Sequence, residues 1–180
     1  MDEELHRTIR EAINGSKDAF ATLVRRFKDH VYRYAYGMLG DPMEAEDASQ
    51  EAFIKCYYAL SRLENEFSFS SWLNRIISNV CVDRLKKRQK EFSSAKGTLG
   101  TFEYEDAQDR RRTEHLKITI EDAMTQLSPE HRQVIVLHDV QGYRYEEITE
   151  LLGIPLGTVK SRLNAARLVL RIEMKKGELQ

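Results

Sequence analysis

Cysteine, proline and long apolar runs are all scarce in this 180-residue chain. Its two cysteines, Cys56 and Cys81, each stand inside an apolar helical pattern, with no CxxC spacing and no clustered histidines. That argues against a zinc knuckle or a disulfide framework and leaves both thiols as small buried hydrophobes. The three prolines, Pro42, Pro129 and Pro155, each fall beside a helix start rather than inside a helix. No uncharged apolar stretch approaches the roughly 18 to 20 residues needed to cross a bilayer. Met1-Asp2-Glu3-Glu4 also lacks the basic start of a secretory signal. The expectation is a cytoplasmic chain with no direct membrane insertion.

A net excess of one charge is missing as well: 28 basic side chains face 29 acidic ones, for a formal charge of -1. A nucleic-acid binder needs concentrated positive surface, so the overall balance argues against one, but the local distribution argues for it. Between Arg75 and Lys90 six basic residues stand against the single acid Asp83, and between Lys160 and Lys176 six stand against Glu173. Acidic residues predominate from Glu91 to Asp122, between these two patches. With 41 % hydrophobic and 32 % charged residues, the composition is that of a folded, water-exposed helical protein rather than a disordered chain.

Apolar residues recur at three- and four-residue steps, and no two-residue alternation runs long enough to compete, so the fold class is all-α. A first helix is predicted over Glu3 to Ile13, ended by Asn14-Gly15. A second starts near Asp18 and carries the stripe Phe20, Leu23, Val24, Phe27, Val31, Tyr34 and Met38, ending at Gly40. Asp41-Pro42-Met43-Glu44 reads as an N-cap, a proline at the first helical position and a capping box, opening a third helix to about Leu60. Trp72, Leu73, Ile76, Ile77, Val80, Val82 and Leu85 then form a helix whose last turns, Arg84 to Arg88, are positive; Trp72 falls on its core stripe.

From Glu91 to about Arg112 the periodicity lapses, which marks a flexible acidic linker. Helix returns at Leu116 to Leu127, and Ser128-Pro129 opens another through Val140, broken by Gly142. Arg144 to Leu152, the turn Gly153-Ile154-Pro155 and the basic helix Gly157 to Met174 make a helix-turn-helix, whose second helix would lie in a DNA major groove. Ile148, Leu151, Leu152, Ile154, Val159 and Leu163 lock the two helices. Thr158, Lys160, Ser161, Asn164 and Arg167 are then left outward, a set able to reach base edges and phosphates. The predicted organisation is two small helical domains, 1–90 and 113–180, joined by the linker 91–112.

Several motifs in one order carry a resemblance. Leu127-Ser128-Pro129-Glu130-His131-Arg132-Gln133-Val134, then Tyr145-Glu146-Glu147-Ile148, then Gly157-Thr158-Val159-Lys160-Ser161-Arg162-Leu163 resemble the C-terminal domain, region 4, of extracytoplasmic-function (ECF) sigma factors of bacterial RNA polymerase. Glu46-Asp47-Ala48-Ser49-Gln50-Glu51-Ala52-Phe53 resembles that family's polymerase-binding helix. Phe69-Ser70-Ser71-Trp72-Leu73-Asn74-Arg75-Ile76, followed by Asp83-Arg84-Leu85, resembles its promoter-opening helix in region 2.

The resemblance implies an alternative sigma factor that binds RNA polymerase core and promoter DNA. It would be held in check by an anti-sigma factor and would use no cofactor, no metal and no small-molecule substrate. It implies polymerase contacts at Asp47, Gln50, Glu51 and Ile54, where carboxylates and an amide share a helix face beside an apolar contact. It implies minus-ten recognition and melting by Phe67, Phe69, Asn79, Asp83, Arg84, Lys86, Lys87 and Arg88, a basic surface with aromatics for unstacked bases. The minus-thirty-five element falls to Thr158, Lys160, Ser161, Arg162, Asn164 and Arg167. Phe67 and Phe69 fit equally as pocket walls or as turn anchors. The chain departs from the family at Ala165, where many members carry a basic residue before the Ala-Arg pair.

Two other readings fit parts of the chain. A dimeric helix-turn-helix operator-binding regulator explains the C-terminal half but not the order of motifs in the N-terminal half. A metal-dependent nuclease gathering magnesium on Glu46, Asp47 and Glu51 lacks the phosphate loop or histidine-rich motif that such chemistry requires.

Overall fold

The computed structural model describes residues 3–98 and 119–178. Among the described residues the secondary structure is helical throughout. The N-terminal domain contains α1 (Glu3–Ile13), α2 (Lys17–Leu39), α3 (Pro42–Ala59) and α4 (Phe69–Thr98), with single 3-10 turns at Leu60–Arg62 and Glu66–Ser68 between the last two. The C-terminal domain contains α5 (Ile120–Thr125), α6 (Pro129–Ile135), a π-helical turn (Val136–Val140), α7 (Tyr145–Leu152) and α8 (Leu156–Glu178).

Local chemistry sets most of these boundaries. Ser16 caps α2 by accepting from the Ala19 N–H at 3.3 Å. Gly40, at φ 73°, ends α2 in the left-handed conformation and donates its N–H to Tyr36 O at 2.8 Å. Asp41 caps α3 through the Glu44 N–H at 2.8 Å, with Pro42 behind it. Only this half of the expected capping box is seen, because the Glu44 carboxylate turns to Arg88 at 3.5 Å. Ser128 caps α6 in the same way through His131 N–H.

Leu23, Val31, Tyr34 and Met38 of α2 pack against Ala45, Ala48, Ala52 and Cys56 of α3 and against Leu73, Ile77, Val80 and Cys81 of α4. The alanines let α3 approach α2 closely. Both cysteines are fully buried, and burial pushes each thiol up to about 12, as suits small hydrophobes. In the C-terminal domain Ile148, Leu151, Val159 and Leu163 are buried between α7 and α8, flanked by half-buried Leu152 and Ile154. Gly153, at φ 64°, makes the turn.

Two elements differ from the sequence reading. Helix α4 continues to Thr98, past the Glu91 start assigned to the linker, and the pair Lys87–Glu91 at 3.9 Å bridges that boundary. The remainder of the expected linker, and residues 116–118 of the helix expected from Leu116, lie outside the described residues. The helix expected through Val140 stops being α-helical at Ile135. Its ladder widens, with Gln141 N–H donating to Val136 O at 3.0 Å, and Tyr143 N–H closes the loop on Leu137 O.

The two domains also pack on each other, which no local pattern announced. Buried residues of both form one contiguous core, with α4 against α6 and α7, and α2 against the π turn.

Candidate nucleic-acid interface

Within the helix-turn-helix, the six expected minus-thirty-five residues do not share one face. Lys160, Asn164 and Arg167 stand at steps of four and three on one stripe of α8; the first two are exposed and Arg167 is half-buried. The hydroxyl of exposed Ser161 donates to Thr158 O at 3.1 Å, tying two of the expected contacts to the first turn of α8. Arg162 lies on another side and is half-buried. It lines a cavity of ≈ 230 Å³ with Arg75, Asn79 and Lys86 of α4 and with Glu130. Arg167 is held by a two-pronged pair to Asp139, Nη2 to Oδ1 at 2.6 Å and Nε to Oδ2 at 3.2 Å, which raises its already high pKa. Asp139, at the π turn, was not singled out from sequence, since its relation to Arg167 exists only after the turn folds back on α8.

On α4, Asn79 and Asp83 are exposed, and Lys86, Lys87 and Arg88 extend the basic end as expected. Each of these three cations has a carboxylate partner: Lys86 with Glu130 at 3.2 Å, Lys87 with Glu91 and Arg88 with Glu44. Arg84 is a tie between helices, donating from Nη2 to Glu51 Oε2 at 2.8 Å and from Nε at 3.3 Å. The two candidate aromatics separate cleanly. Phe67 is 62 % exposed, edge-on to His6. Phe69 is 1 % exposed, packed against Phe27 and Trp72. Phe69 is therefore a turn anchor, and its inclusion among base-contacting residues is corrected: a ring enclosed on all sides presents no face to a base. Arg75 was missed; it lies four residues before Asn79 and eleven before Lys86, on their stripe, so helical spacing could have found it.

On α3, Asp47, Gln50 and Ile54 project outward at steps of three and four, with Ile54 57 % exposed. Met43 and Tyr58, four residues outside Asp47 and Ile54, extend this surface and are more exposed still. Glu51 sits apart from them. Hydrogen bonds from Lys55 at 2.8 Å and from Arg84 hold its carboxyl below the usual range. Its charge is spent on joining α3 to α4. Among the described residues no group of three or more His, Cys, Asp or Glu is placed to hold a metal ion, and no helix is long and apolar enough to cross a membrane.

The same two halves are matched independently by comparison with known proteins. The family described as Sigma-70 region 2 matches residues 23–91, and Sigma-70, region 4 matches residues 117–170. The ECF RNA polymerase sigma factor SigW of Bacillus subtilis is 34 % identical over 185 residues, covering 97 % of this chain and 99 % of that protein. SigM of Mycobacterium tuberculosis is 31 % identical, covering 86 % of this chain and 76 % of that protein. In fold, the chain is similar to CnrH, solved with the cytosolic domain of CnrY, at TM-score 0.68 and 22 % identity over 96 % of this chain and 97 % of that one. It is similar also to RpoE of Bartonella quintana, solved with the anti-sigma factor NepR, at TM-score 0.65 and 23 % identity over 89 % and 98 %.

Proposed function

This chain belongs to the ECF group of sigma-70 factors, alternative sigma factors that direct transcription initiation, and on that premise we propose how its own residues divide the work. The N-terminal domain, about 1–90, docks on RNA polymerase core through Asp47, Gln50 and Ile54, extended by Met43 and Tyr58. The exposed stripe of α4, with Arg75, Asn79, Asp83, Lys86, Lys87 and Arg88, takes the melted minus-ten strand, and Phe67 offers the free ring beside it. The C-terminal domain, about 113–180, places α8 in the major groove at the minus-thirty-five element, with Lys160, Ser161, Asn164 and Arg167 facing DNA. The linker from 91 to 112 joins the two. The chain contributes binding and no bond-making chemistry, works in the cytoplasm, and is answerable to an anti-sigma factor.

The observation that carries this division is that both basic segments of a near-neutral chain lie on exposed helix stripes, one in each domain. Two modest DNA contacts joined in one chain reinforce each other through effective concentration. The operator-binding regulator leaves the match to region 2 without a purpose.

Co-elution with core polymerase on gel filtration tests the docking assignment. Ile54→Asp, a change at an exposed site, is expected to abolish co-elution while leaving the circular dichroism spectrum unchanged. An Ile54→Asp chain that still co-elutes with core would remove α3 from the docking surface.

A further inference from the structure

Helix α1 holds no assigned contact with polymerase or DNA, yet it touches the turn that carries Phe67 at two consecutive residues. His6 and Arg10 stand four residues apart, on one stripe of α1. Arg10 Nη1 donates to Glu66 Oε1 at 3.1 Å across 56 residues of sequence. His6 stands edge-on to the ring of Phe67, with 4.4 Å between ring centres. The neighbouring stripe of α1 is anchored: Ile9 and Ala12 are buried, and Leu5 packs against the same core.

The turn's own hydrogen bonds fix its backbone. Asn65 Oδ1 accepts from the Phe67 N–H at 2.9 Å, Ser68 Oγ donates to Asn65 O at 2.7 Å, and Ser71 Oγ donates to Ser68 O at 2.9 Å. Phe69 is enclosed by Phe27 and Trp72. None of these contacts reaches the carboxylate of Glu66 or the ring of Phe67. Among the described residues, Arg10 holds the carboxylate and His6 stands against the ring.

A phenylalanine ring that is 62 % exposed would otherwise turn between rotamers in water. Ordering such a ring at the moment an unstacked base arrives costs affinity, and holding it in one pose beforehand removes that cost.

Resting on the assignment of Phe67 to the melted strand, we propose that α1 braces the strand-opening turn: Arg10 holds Glu66, His6 holds the ring of Phe67, and the ring stands ready before DNA arrives. Arg10 and His6 are positioning residues that act through the turn. An exposed ion pair such as Arg10–Glu66 adds little to stability. Its removal therefore shows in promoter opening rather than in the fold.

The test is promoter opening by the full-length chain with core polymerase, followed as permanganate reactivity over time on a promoter that the wild-type holoenzyme opens. Arg10→Gln and Glu66→Gln should each slow opening about two- to fivefold, the range that loss of one such contact gives. The double variant should be no slower than either single one. His6→Ala should slow opening by a similar factor and add nothing in a Phe67→Ala background. The Arg10, Glu66 and His6 variants should still co-elute with core and melt within about 4 °C of wild type, which separates bracing from a general loss of fold.

If Arg10 instead grips a DNA phosphate directly, Glu66→Gln frees it and opening becomes faster. Faster opening by Glu66→Gln beside slower opening by Arg10→Gln overturns the brace. Wild-type opening by both single variants overturns it as well, and so do losses that multiply in the double one. A Phe67→Ala chain that opens DNA like wild type would strike the assignment of that ring to the strand, and the Arg10 and Glu66 variants would still decide the brace.

Discussion

Phe67 and Phe69 sit two residues apart in one polar turn, yet the structure gives them opposite duties, and mutating each to alanine should separate stability from function. Phe69→Ala removes a ring enclosed by Phe27 and Trp72. Truncating a buried phenylalanine costs about 3–5 kcal/mol. For a chain of this length about 2–4 °C of Tm is lost per kcal/mol, so Phe69→Ala should melt about 6–20 °C lower. Phe67→Ala gives up only the edge contact to His6, 4.4 Å between ring centres, on a side chain already in water. That contact is worth about 1 kcal/mol at most, hence a shift of no more than about 2–4 °C.

Thermal unfolding followed by circular dichroism gives the first quantity, and permanganate footprinting of an opened promoter gives the second. Phe67→Ala should lose promoter opening at nearly full stability; Phe69→Ala should lose stability first. A Phe69→Ala chain that melts like wild type but cannot open DNA would refute the placement of that ring in the core.

Further outcomes follow from the ion pairs. Releasing Arg167 by Asp139→Asn should tighten binding to duplex minus-thirty-five DNA at low salt and steepen the salt dependence by about one phosphate contact, read from binding isotherms across a salt series. Glu51→Gln should cost about 0.5–1 kcal/mol at neutral pH, because both partners of its carboxylate are partly exposed. The Glu51 carboxyl titrates below its ordinary 4.5 in the folded chain, so its contribution is complete above 4.5 and is lost as pH falls through the folded value. Urea unfolding of wild type and Glu51→Gln should therefore converge in acid. Ser128→Ala removes the α6 cap and should lower stability by about 1 kcal/mol in the same assay.

Local signals explain what the sequence disclosed. Asn14-Gly15, Asp41-Pro42, Ser128-Pro129 and Gly153 each act within one turn of the chain, so the end of α1, the starts of α3 and α6 and the end of α7 could be read directly. The exposure of Asp47, Gln50 and Ile54 on α3 and of Lys160, Ser161 and Asn164 on α8 followed from the same periodicity, whereas Glu51, Thr158, Arg162 and Arg167 are half-buried. What stayed hidden depends on partners far along the chain: the Arg84–Glu51 tie, the Arg167–Asp139 pair and the packing of Gly37 against Val136. Phe67 and Phe69 share one pattern, and only the packing of Phe27 and Trp72 tells them apart. The π turn is a compromise of the same kind, since it trades regular hydrogen bonding for the reach of His138 Nδ1 to Tyr143 O at 2.7 Å, a gain that no run of residues spells out.

Run-off transcription on fragmented genomic DNA from the source organism, with sigma-free core polymerase and with or without this chain, tests the central claim most directly. Sequencing the transcript ends should reveal new starts preceded by two shared elements at fixed spacing, present only when the chain is added. Active core that gives no new starts and fails to bind the chain would contradict the account.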